Sequence, residues 1–305
     1  MNMREMARAL ASEPWAVDLR RLHTLADFVG RHLRAGTEPA ADELPSIRAA
    51  FGMPVPLGAR QANGVGVIPI HGFLVAHASP LAELFGAVGY DRIGADLDAM
   101  LASPDVGSIV LDIDSGGGSV YGATELAAKI FNSRGQKRIV AVADAFMASA
   151  AYWIGASADE IVGAPSSETG SLGVYAVHVD WSEMDAKDGI KRTVISAGKF
   201  KAEAVPGMPL TDEAQAAIQE RVEEVYDALV RDVARGRGVT PAAIRSGYGE
   251  GRALGAKKAK EAGLIDRIGT LEEVIGKLLP KAPRAMGKRA EFERQRLALD
   301  LARLT

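Results

Sequence analysis

Cysteine is absent from this chain of 305 residues. Its absence excludes disulfide bonds, thiolate metal sites and a cysteine nucleophile. An excess of one charge is also absent, because 36 Lys and Arg residues stand against 39 Asp and Glu residues, for a net charge of −3. A balance this even does not predict nucleic-acid binding through bulk electrostatics.

Long apolar runs are missing as well. Stretches such as Val65–Ile70 and Ile109–Ile113 have the length of strands and are far shorter than the ~20 residues that cross a bilayer. Charged residues interrupt the N-terminal region throughout, so we predict no secretory signal. We therefore expect a soluble, cytoplasmic protein without a membrane anchor.

Composition and spacing divide the chain into three regions. Residues 1–62 are predicted to form a helical preface and a linker, because apolar residues recur at helical spacing from Ala16 to Leu33 and are followed by glycine and proline. Residues 63–280 are predicted to form the folded body, which is long enough to bury a sizeable core. Residues 281–305 are rich in charge and predict an exposed helical tail.

Strand-like and helical segments alternate through the body. The predicted strands are Val65–Ile70, Ser108–Ile113, Arg138–Ala143, Glu160–Val162, Val174–Asp180 and Gly263–Asp266. The predicted helices are Tyr90–Ala102, Thr124–Asn132, Ala148–Ala156 and Thr211–Gly236. This alternation is typical of βαβ units, so we expect an α/β fold with a largely parallel sheet.

Three consecutive glycines, Gly116–Gly118, follow the strand at Ile109–Ile113. Glycines at the carboxyl end of a strand let the backbone approach a ligand and aim its N–H groups outward. Ligands of α/β sheets tend to bind at such ends. The run matches neither of the glycine-rich nucleotide motifs, and a tight turn explains it equally well.

Ser149 lies among small residues where a predicted strand leads into a predicted helix. A serine at such a turn presents its hydroxyl beside a free backbone N–H, which is the geometry of a nucleophile elbow. Serine is also favoured at helix starts for purely structural reasons.

Lys201 can accept a proton from a serine only when it is uncharged, a form that burial favours. Nothing in the local sequence distinguishes Lys201 from Lys199.

Three blocks in a fixed order carry a family resemblance: IVLDIDSGGGSVYGATELAAKI, then VAVADAFMASAAYWIGASADEIVGAPSSETGSLGV, then ISAGKFKAE. This order resembles the S49 peptidase family, which includes signal peptide peptidase A enzymes and phage head-maturation proteases of the phage lambda protein C type. The resemblance extends from about Val65 to Leu279. The N-terminal region leading into GVIPIHGFLV is more similar to the phage and prophage branch.

The resemblance implies a ClpP/crotonase-like fold and a serine endopeptidase with a Ser–Lys dyad. Ser149 matches the nucleophile, Lys201 the general base, and Ser171 a hydroxyl that helps to hold the lysine amine. Gly118 and the N–H of Ala150 match the oxyanion hole. No metal or cofactor is implied.

The resemblance also implies partners and a setting. The expected substrate is a protein or peptide, such as the coat or scaffold protein of a phage or prophage, and the expected place of action is then the procapsid interior. Because S49 domains pack side by side into rings, we expect a homo-oligomer in which neighbouring protomers help to seal the cleft between Lys201 and Ser149.

The sequence is also compatible with other functions. A Ser–His–Asp triad would pair Ser149 with His178 and with Asp180 or Asp185, although His178 lies in a predicted strand. Crotonase-like acyl-CoA enzymes share the expected fold but need no serine nucleophile. The chain could also be a general signal-peptide- or protein-degrading S49 peptidase, or an inactive assembly scaffold.

Overall fold

The computed structural model of the protein describes residues 15–17, 34–36, 58–78, 82–83, 86–279 and 295–300. Most of the predicted preface, linker and tail lies outside these ranges. Ala16, which the apolar spacing assigns to a helix, lies instead in a strand. Residues 295–300 are helical, but the side chain of Ala298 is buried, whereas the tail is predicted to be exposed.

The described strands, in chain order, are β1 (Trp15–Val17), β2 (Arg60–Ala62), β3 (Val65–His71), β4 (Phe73–Val75), β5 (Ala87–Gly89), β6 (Ser108–Ser115), β7 (Gly117–Ser119), β8 (Arg138–Ala148), β9 (Glu160–Gly163), β10 (Glu168–Gly170), β11 (Ala253–Gly255) and β12 (Arg267–Ile268). The main helices are α1 (Tyr90–Ala102), α2 (Ala123–Asn132), α3 (Ala150–Gly155), α4 (Ser182–Lys187), α5 (Asp212–Arg237), α6 (Pro241–Gly247), α7 (Ala256–Glu261) and α8 (Leu271–Leu278). Strands and helices alternate through the body, as predicted.

The larger sheet has the order β11-β10-β8-β6-β3-β2, with β9 and β12 attached through β8. Strands β3, β6, β8 and β10 run parallel, whereas β2 and β11 pair antiparallel at the two edges. Because β2 pairs with β3, the folded body begins before residue 63, and residues 60–62 are not part of a linker.

Strand β8 changes partners along its length. Its residues Val140–Ala143 pair with β9, and its residues Phe146–Ala148 pair with β10. Both halves also pair with β6, with a shift in register between Ile113 and Ser115. The carboxyl end of β8 is therefore held between β6 and β10, and the chain turns there into α3.

Both faces of the larger sheet are buried. One face carries isoleucines and leucines of β3 and β6 and packs against helices α1, α2, α3 and α5. The other carries valines of β3, β6 and β8 and packs against Leu271, Val274 and Ile275 of α8. Alternate strand residues face opposite sides, so a sheet covered on both sides requires strands that are apolar throughout. This is why the sequence shows them as continuous apolar runs.

A smaller sheet with the order β1-β7-β4-β5 stands beside the larger one. Strand β7 consists of Gly117, Gly118 and Ser119, so the predicted glycine loop is itself a short strand. It pairs parallel with β4 and antiparallel with β1.

Several predicted elements differ from the structure. The strand predicted over Arg138–Ala143 extends to Ala148, and the helix predicted from Ala148 begins at Ala150. Residues 174–180 form an extended loop instead of a strand, with an isolated bridge at Tyr175. Residues 263–266 form a turn, and the short strand follows at Arg267–Ile268. Helix α5 runs past Gly236 to Arg237, and the residue that follows it, Gly238, adopts the left-handed conformation. Gly236 lies inside the helix, where a Cβ would come within 2.1 Å of the carbonyl oxygen of Ala156.

An ion pair interrupts the valine-rich face. The Nε2 atom of His71 lies 2.9 Å from Oδ2 of Asp112, which is completely buried. Burial alone lowers the pKa of His71, but the hydrogen bond and charge of Asp112, with the charges of Asp114 and Asp144, outweigh burial and raise this pKa. The pair stabilises the fold only while the imidazole is protonated.

We therefore expect the stabilisation by His71 to be present below about pH 6.5, the pKa of an unfolded histidine, and to be lost as the pH rises through the raised pKa of the folded protein. Urea unfolding of the wild type and His71→Gln should show a larger difference in unfolding free energy at pH 6 than at pH 8. The control is His77→Gln, since His77 and Asp91 form an exposed ion pair, which contributes little. If the unfolding free energy lost in His71→Gln grows as the pH rises, this assignment is contradicted.

Candidate active site

Ser149 occupies the turn between β8 and α3 in an unusual backbone conformation. Its φ is 55° and its ψ is −121°, a combination that costs a non-glycine residue of order 1–3 kcal/mol and persists only where the surroundings hold it. The Ser149 N–H donates to the carbonyl of Gly170 at 2.7 Å, and the Ser149 carbonyl accepts from the N–H of Trp153 at 2.9 Å. These contacts hold a strand-to-helix elbow of the kind that displays a nucleophile.

The Ser149 hydroxyl does not cap the helix that it precedes. By contrast, Thr211, Thr240 and Thr270 each accept a hydrogen bond from a backbone N–H in the first turn of their helices, at 3.2 to 3.3 Å. The Ser149 Oγ instead lies 3.5 Å from the carbonyl oxygen of Gly173. The explanation of Ser149 as an ordinary helix-start serine is therefore not supported.

Helix α3 is anchored rigidly behind the serine. All its residues are completely buried. The hydroxyl of Tyr152 donates to the carbonyl of Leu264 at 2.7 Å, and the indole Nε1 of Trp153 donates to Asp232 at 2.9 Å. The N–H of Ala150, the first of the helix, has no acceptor within the helix itself and directly follows the serine in the chain.

The glycine strand β7 contacts α3. The N–H of Gly117 donates to Oγ of Ser115 at 3.1 Å, and this hydroxyl donates to the carbonyl of Gly72 at 2.6 Å. A Cβ at Gly118 would lie 1.8 Å from the carbonyl oxygen of Leu74. Glycine at position 118 is thus required by the close approach of β4, a reason that the sequence alone does not reveal.

Ser171 belongs to a short loop that contacts Ser149 through Gly170 and Gly173. Its own φ is 53°, and its N–H donates to the carbonyl of Arg252 at 2.9 Å. The loop supplies two carbonyls that face Ser149, those of Gly170 and Gly173. The structure therefore brings Ser171, Ala150 and the strand of Gly118 to one place around Ser149.

None of the described side-chain hydrogen bonds joins Lys201 to these residues. It is an exposed residue of a turn, where its N–H donates to the carbonyl of Gly198 at 3.2 Å. Among the side-chain hydrogen bonds of the described residues, none joins its amine to Ser149. Lys199, which local sequence does not separate from Lys201, lies 3.3 Å from Glu213 and over the ring of Phe200.

The chain around Lys201 exposes large apolar side chains. Those more than a third exposed between residues 177 and 200 are Val177, Trp181, Met184, Ile190, Val194, Ile195 and Phe200. Ile195 is 94% exposed. Apolar clusters of this kind on a protein surface mark interaction sites.

The residues of the alternative triad are engaged elsewhere. The Nε2 atom of His178 lies 2.7 Å from the carbonyl oxygen of Met208. Asp180 accepts from the N–H of Ser182 at 2.8 Å, and Asp185 pairs with Arg192 at 2.5 Å. None of the described hydrogen bonds joins His178 to Ser149, so the geometry does not support a Ser–His–Asp triad.

Thr169 is a residue of this region that sequence reasoning missed. It pairs with Met147, two residues before Ser149, and its hydroxyl is completely buried without a hydrogen-bond partner among the described residues. In the sequence, the run Thr169–Ser171 is the feature that could have pointed to it.

Comparison with known proteins assigns this region to a family. Residues 132–282 match Peptidase family S49. The chain is 30% identical over 224 residues to Capsid assembly protease C of Escherichia phage lambda, which covers 69% of this chain and 49% of the relative. It is 29% identical over 216 residues to Head-tail preconnector protein GP5 of Enterobacteria phage P21, covering 71% of this chain and 43% of the relative.

The chain is also similar to a bacterial protease and to a solved structure. Protease 4 of Salmonella typhi is 30% identical over 196 residues, which are 64% of this chain and 31% of that protein. A solved mutant of ClpP1 from Listeria monocytogenes aligns with a TM-score of 0.42 and 15% identity, over 67% of this chain and 91% of that one. The chain spans about half the length of the phage relatives that it matches. Among the described helices, none combines the length and the apolar character needed to cross a membrane.

Proposed function

We propose that this chain, which belongs to peptidase family S49, cleaves peptide bonds through an acyl-enzyme on Ser149. The observation that carries the proposal is the conformation of this serine: a φ of 55° at a buried strand-to-helix turn, with a hydroxyl that caps no helix. A serine in a strained backbone conformation, whose hydroxyl does not cap the helix that follows, is suited to act as a nucleophile.

The proposed reaction follows from the roles of the neighbouring groups. Uncharged Lys201 takes the proton of Ser149, whose oxygen attacks the substrate carbonyl, while the amides of Gly118 and Ala150 stabilise the oxyanion. Lysine then gives the proton to the leaving amine, and water hydrolyses the acyl-enzyme by the reverse sequence. Ser171 orients the amine. Each step uses only groups of the protein and water.

We propose that Lys201 reaches Ser149 of a neighbouring copy. Within one protomer the lysine is exposed and stands in a segment rich in exposed apolar side chains. Docking of a second copy on this segment would bury both the apolar groups and the amine. Burial favours the uncharged form of a lysine, which is the form that a general base requires.

The substrate class follows from the phage relatives. Two of them are named for roles in capsid assembly and at the head–tail connection, so we propose that a coat or scaffold protein is cleaved inside an assembling phage head. The alternative is a general degradative or signal-peptide peptidase, which the similarity to Protease 4 favours. An inactive assembly scaffold is the third possibility.

The test uses a fluorophosphonate probe, which reacts with activated serines, followed by mass spectrometry of the labelled peptide. We expect labelling of Ser149 in the wild type and none in Ser149→Ala, whose kcat on peptides should fall by at least about 10⁴. His178→Ala should keep most of the activity, because its ring bonds to Met208. Mixing the wild type with a candidate coat protein should give fragments that Ser149→Ala does not produce. If the wild type is not labelled and cleaves nothing, the peptidase proposal is wrong and the inactive assembly scaffold is favoured.

A further inference from the structure

The N-terminal strand β1 is paired with the glycine strand beside the candidate nucleophile. The pairing is antiparallel, with Trp15 opposite Ser119, Ala16 opposite Gly118 and Val17 opposite Gly117. Gly118 is the residue assigned to the oxyanion hole. A segment more than 100 positions away in sequence therefore lies along the strand that is proposed to hold the reacting carbonyl.

Without β1, the glycine strand β7 would be the edge strand of the smaller sheet. Its other neighbour is β4, through the pair Leu74 and Gly118, so the side now covered by β1 would expose unpaired N–H and C=O groups. Such an edge binds extended peptides by strand addition, in which main-chain hydrogen bonds supply the affinity. Because two of the three residues are glycine, side chains do not hinder an incoming strand.

The edge leads into a cleft. When a peptide pairs antiparallel with β7, the peptide residues before the paired ones extend past Ser119, toward Val120 and Tyr121. These residues line a cleft of about 810 Å³, whose other walls include His77, Lys129 and Arg221. A strand edge that leads into a cleft of this size is suited to hold an extended polypeptide.

We propose that the segment Trp15–Val17 occupies the place of the substrate on the glycine strand and competes with it. This inference rests on the proposed function. The segment is covalently tethered, so its effective concentration at the edge is high. A segment that covers the edge nine-tenths of the time raises the apparent KM of a peptide substrate about tenfold, without changing the chemistry once the substrate is bound.

The test places proline in the added strand of the full chain. In an antiparallel ladder, successive residues alternate in directing their N–H groups toward the partner, so either Ala16→Pro or Val17→Pro removes a donor to the glycine strand. The matched controls are Ala16→Ser and Val17→Thr, which change the side chain at the same positions and keep the backbone N–H. Two quantities are measured: KM and kcat for a fluorogenic peptide, and amide hydrogen exchange of Gly117–Ser119, the latter in the Ser149→Ala background.

We expect at least one of the two strand variants to exchange faster at Gly117–Ser119 and to have a KM lower by about tenfold with an unchanged kcat. Ala16→Ser and Val17→Thr should match the wild type in both the exchange rate and KM. Unchanged exchange in both strand variants would overturn the pairing. Faster exchange with an unchanged KM would overturn the competition. Removal of Trp15–Val17 by self-cleavage in the wild type would also overturn it, because the segment would then be a substrate. A wild type that hydrolyses no peptide would count against the proposed function, and the exchange result would still decide the pairing.

Discussion

Lys201→Ala should lower kcat on peptides by about 10⁴ or more, to the level of Ser149→Ala, because a serine hydroxyl without a base is a poor nucleophile. The exposed position of Lys201 within one protomer adds a second expectation. If the lysine acts on a neighbouring copy, each variant lacks a different half of the same site, and mixing the two should restore activity.

The size of the recovery can be estimated. In a ring whose neighbours meet head to tail, a working site needs Ser149 from one copy and Lys201 from the next. Equal amounts of Ser149→Ala and Lys201→Ala, mixed at random, place the two intact residues together in roughly a quarter of the sites. We therefore expect about a quarter of the wild-type rate after the variants are unfolded and refolded together.

The matched control is Lys199→Ala, which removes a neighbouring amine that is already paired with Glu213. This variant should keep nearly the wild-type rate. Activity retained by Lys201→Ala would overturn the dyad. Loss in both single variants without recovery in the mixture would place the lysine and the serine of each site on the same copy.

Gly118→Ala should lower kcat by about 10² to 10³ and destabilise the fold by about 1–3 kcal/mol. An added methyl at this position would lie 1.8 Å from the carbonyl oxygen of Leu74, and the nearest atoms all belong to backbone. Because backbone cannot swing aside as a flexible side chain can, β7 must move away from β4. That movement displaces the N–H proposed to bind the oxyanion.

The control for this variant is Gly255→Ala, since Gly255 has no atom near the position of an added methyl and no positive φ. Peptide hydrolysis and urea unfolding separate the two effects of Gly118→Ala. A stability loss with full activity would contradict the role of Gly118 in the oxyanion hole, whereas unchanged stability would contradict the packing against Leu74.

The elements of the body were predictable because their apolar residues repeat with a clear period. Helix Tyr90–Ala102 has the predicted bounds, and β3 extends the predicted run by one residue. Residues 174–180 show why a pattern alone is insufficient: their alternation predicts a strand, but a strand also needs a partner, and the sequence does not say which neighbours the fold supplies.

The candidate site was predictable only in part for the same reason. Ser149 and the glycine strand stand at strand ends, where local patterns point to chemistry, and the structure gathers them. The surroundings of Lys201 depend on tertiary and quaternary packing, so its spacing in the sequence carries little information. The pairing of Trp15–Val17 with the glycine strand joins distant segments, and the helical spacing of the N-terminal region pointed to a different conformation.

The near absence of side chains on Gly117–Ser119 has a consequence for timing. Recognition through the main chain selects the shape of a polypeptide more than its sequence, so a folded partner offers nothing to bind until a stretch of it becomes extended. If the chain cleaves a coat or scaffold protein, as proposed, the time of cleavage would then be set by the substrate, when one of its segments becomes extended, rather than by a consensus sequence at the cleavage site.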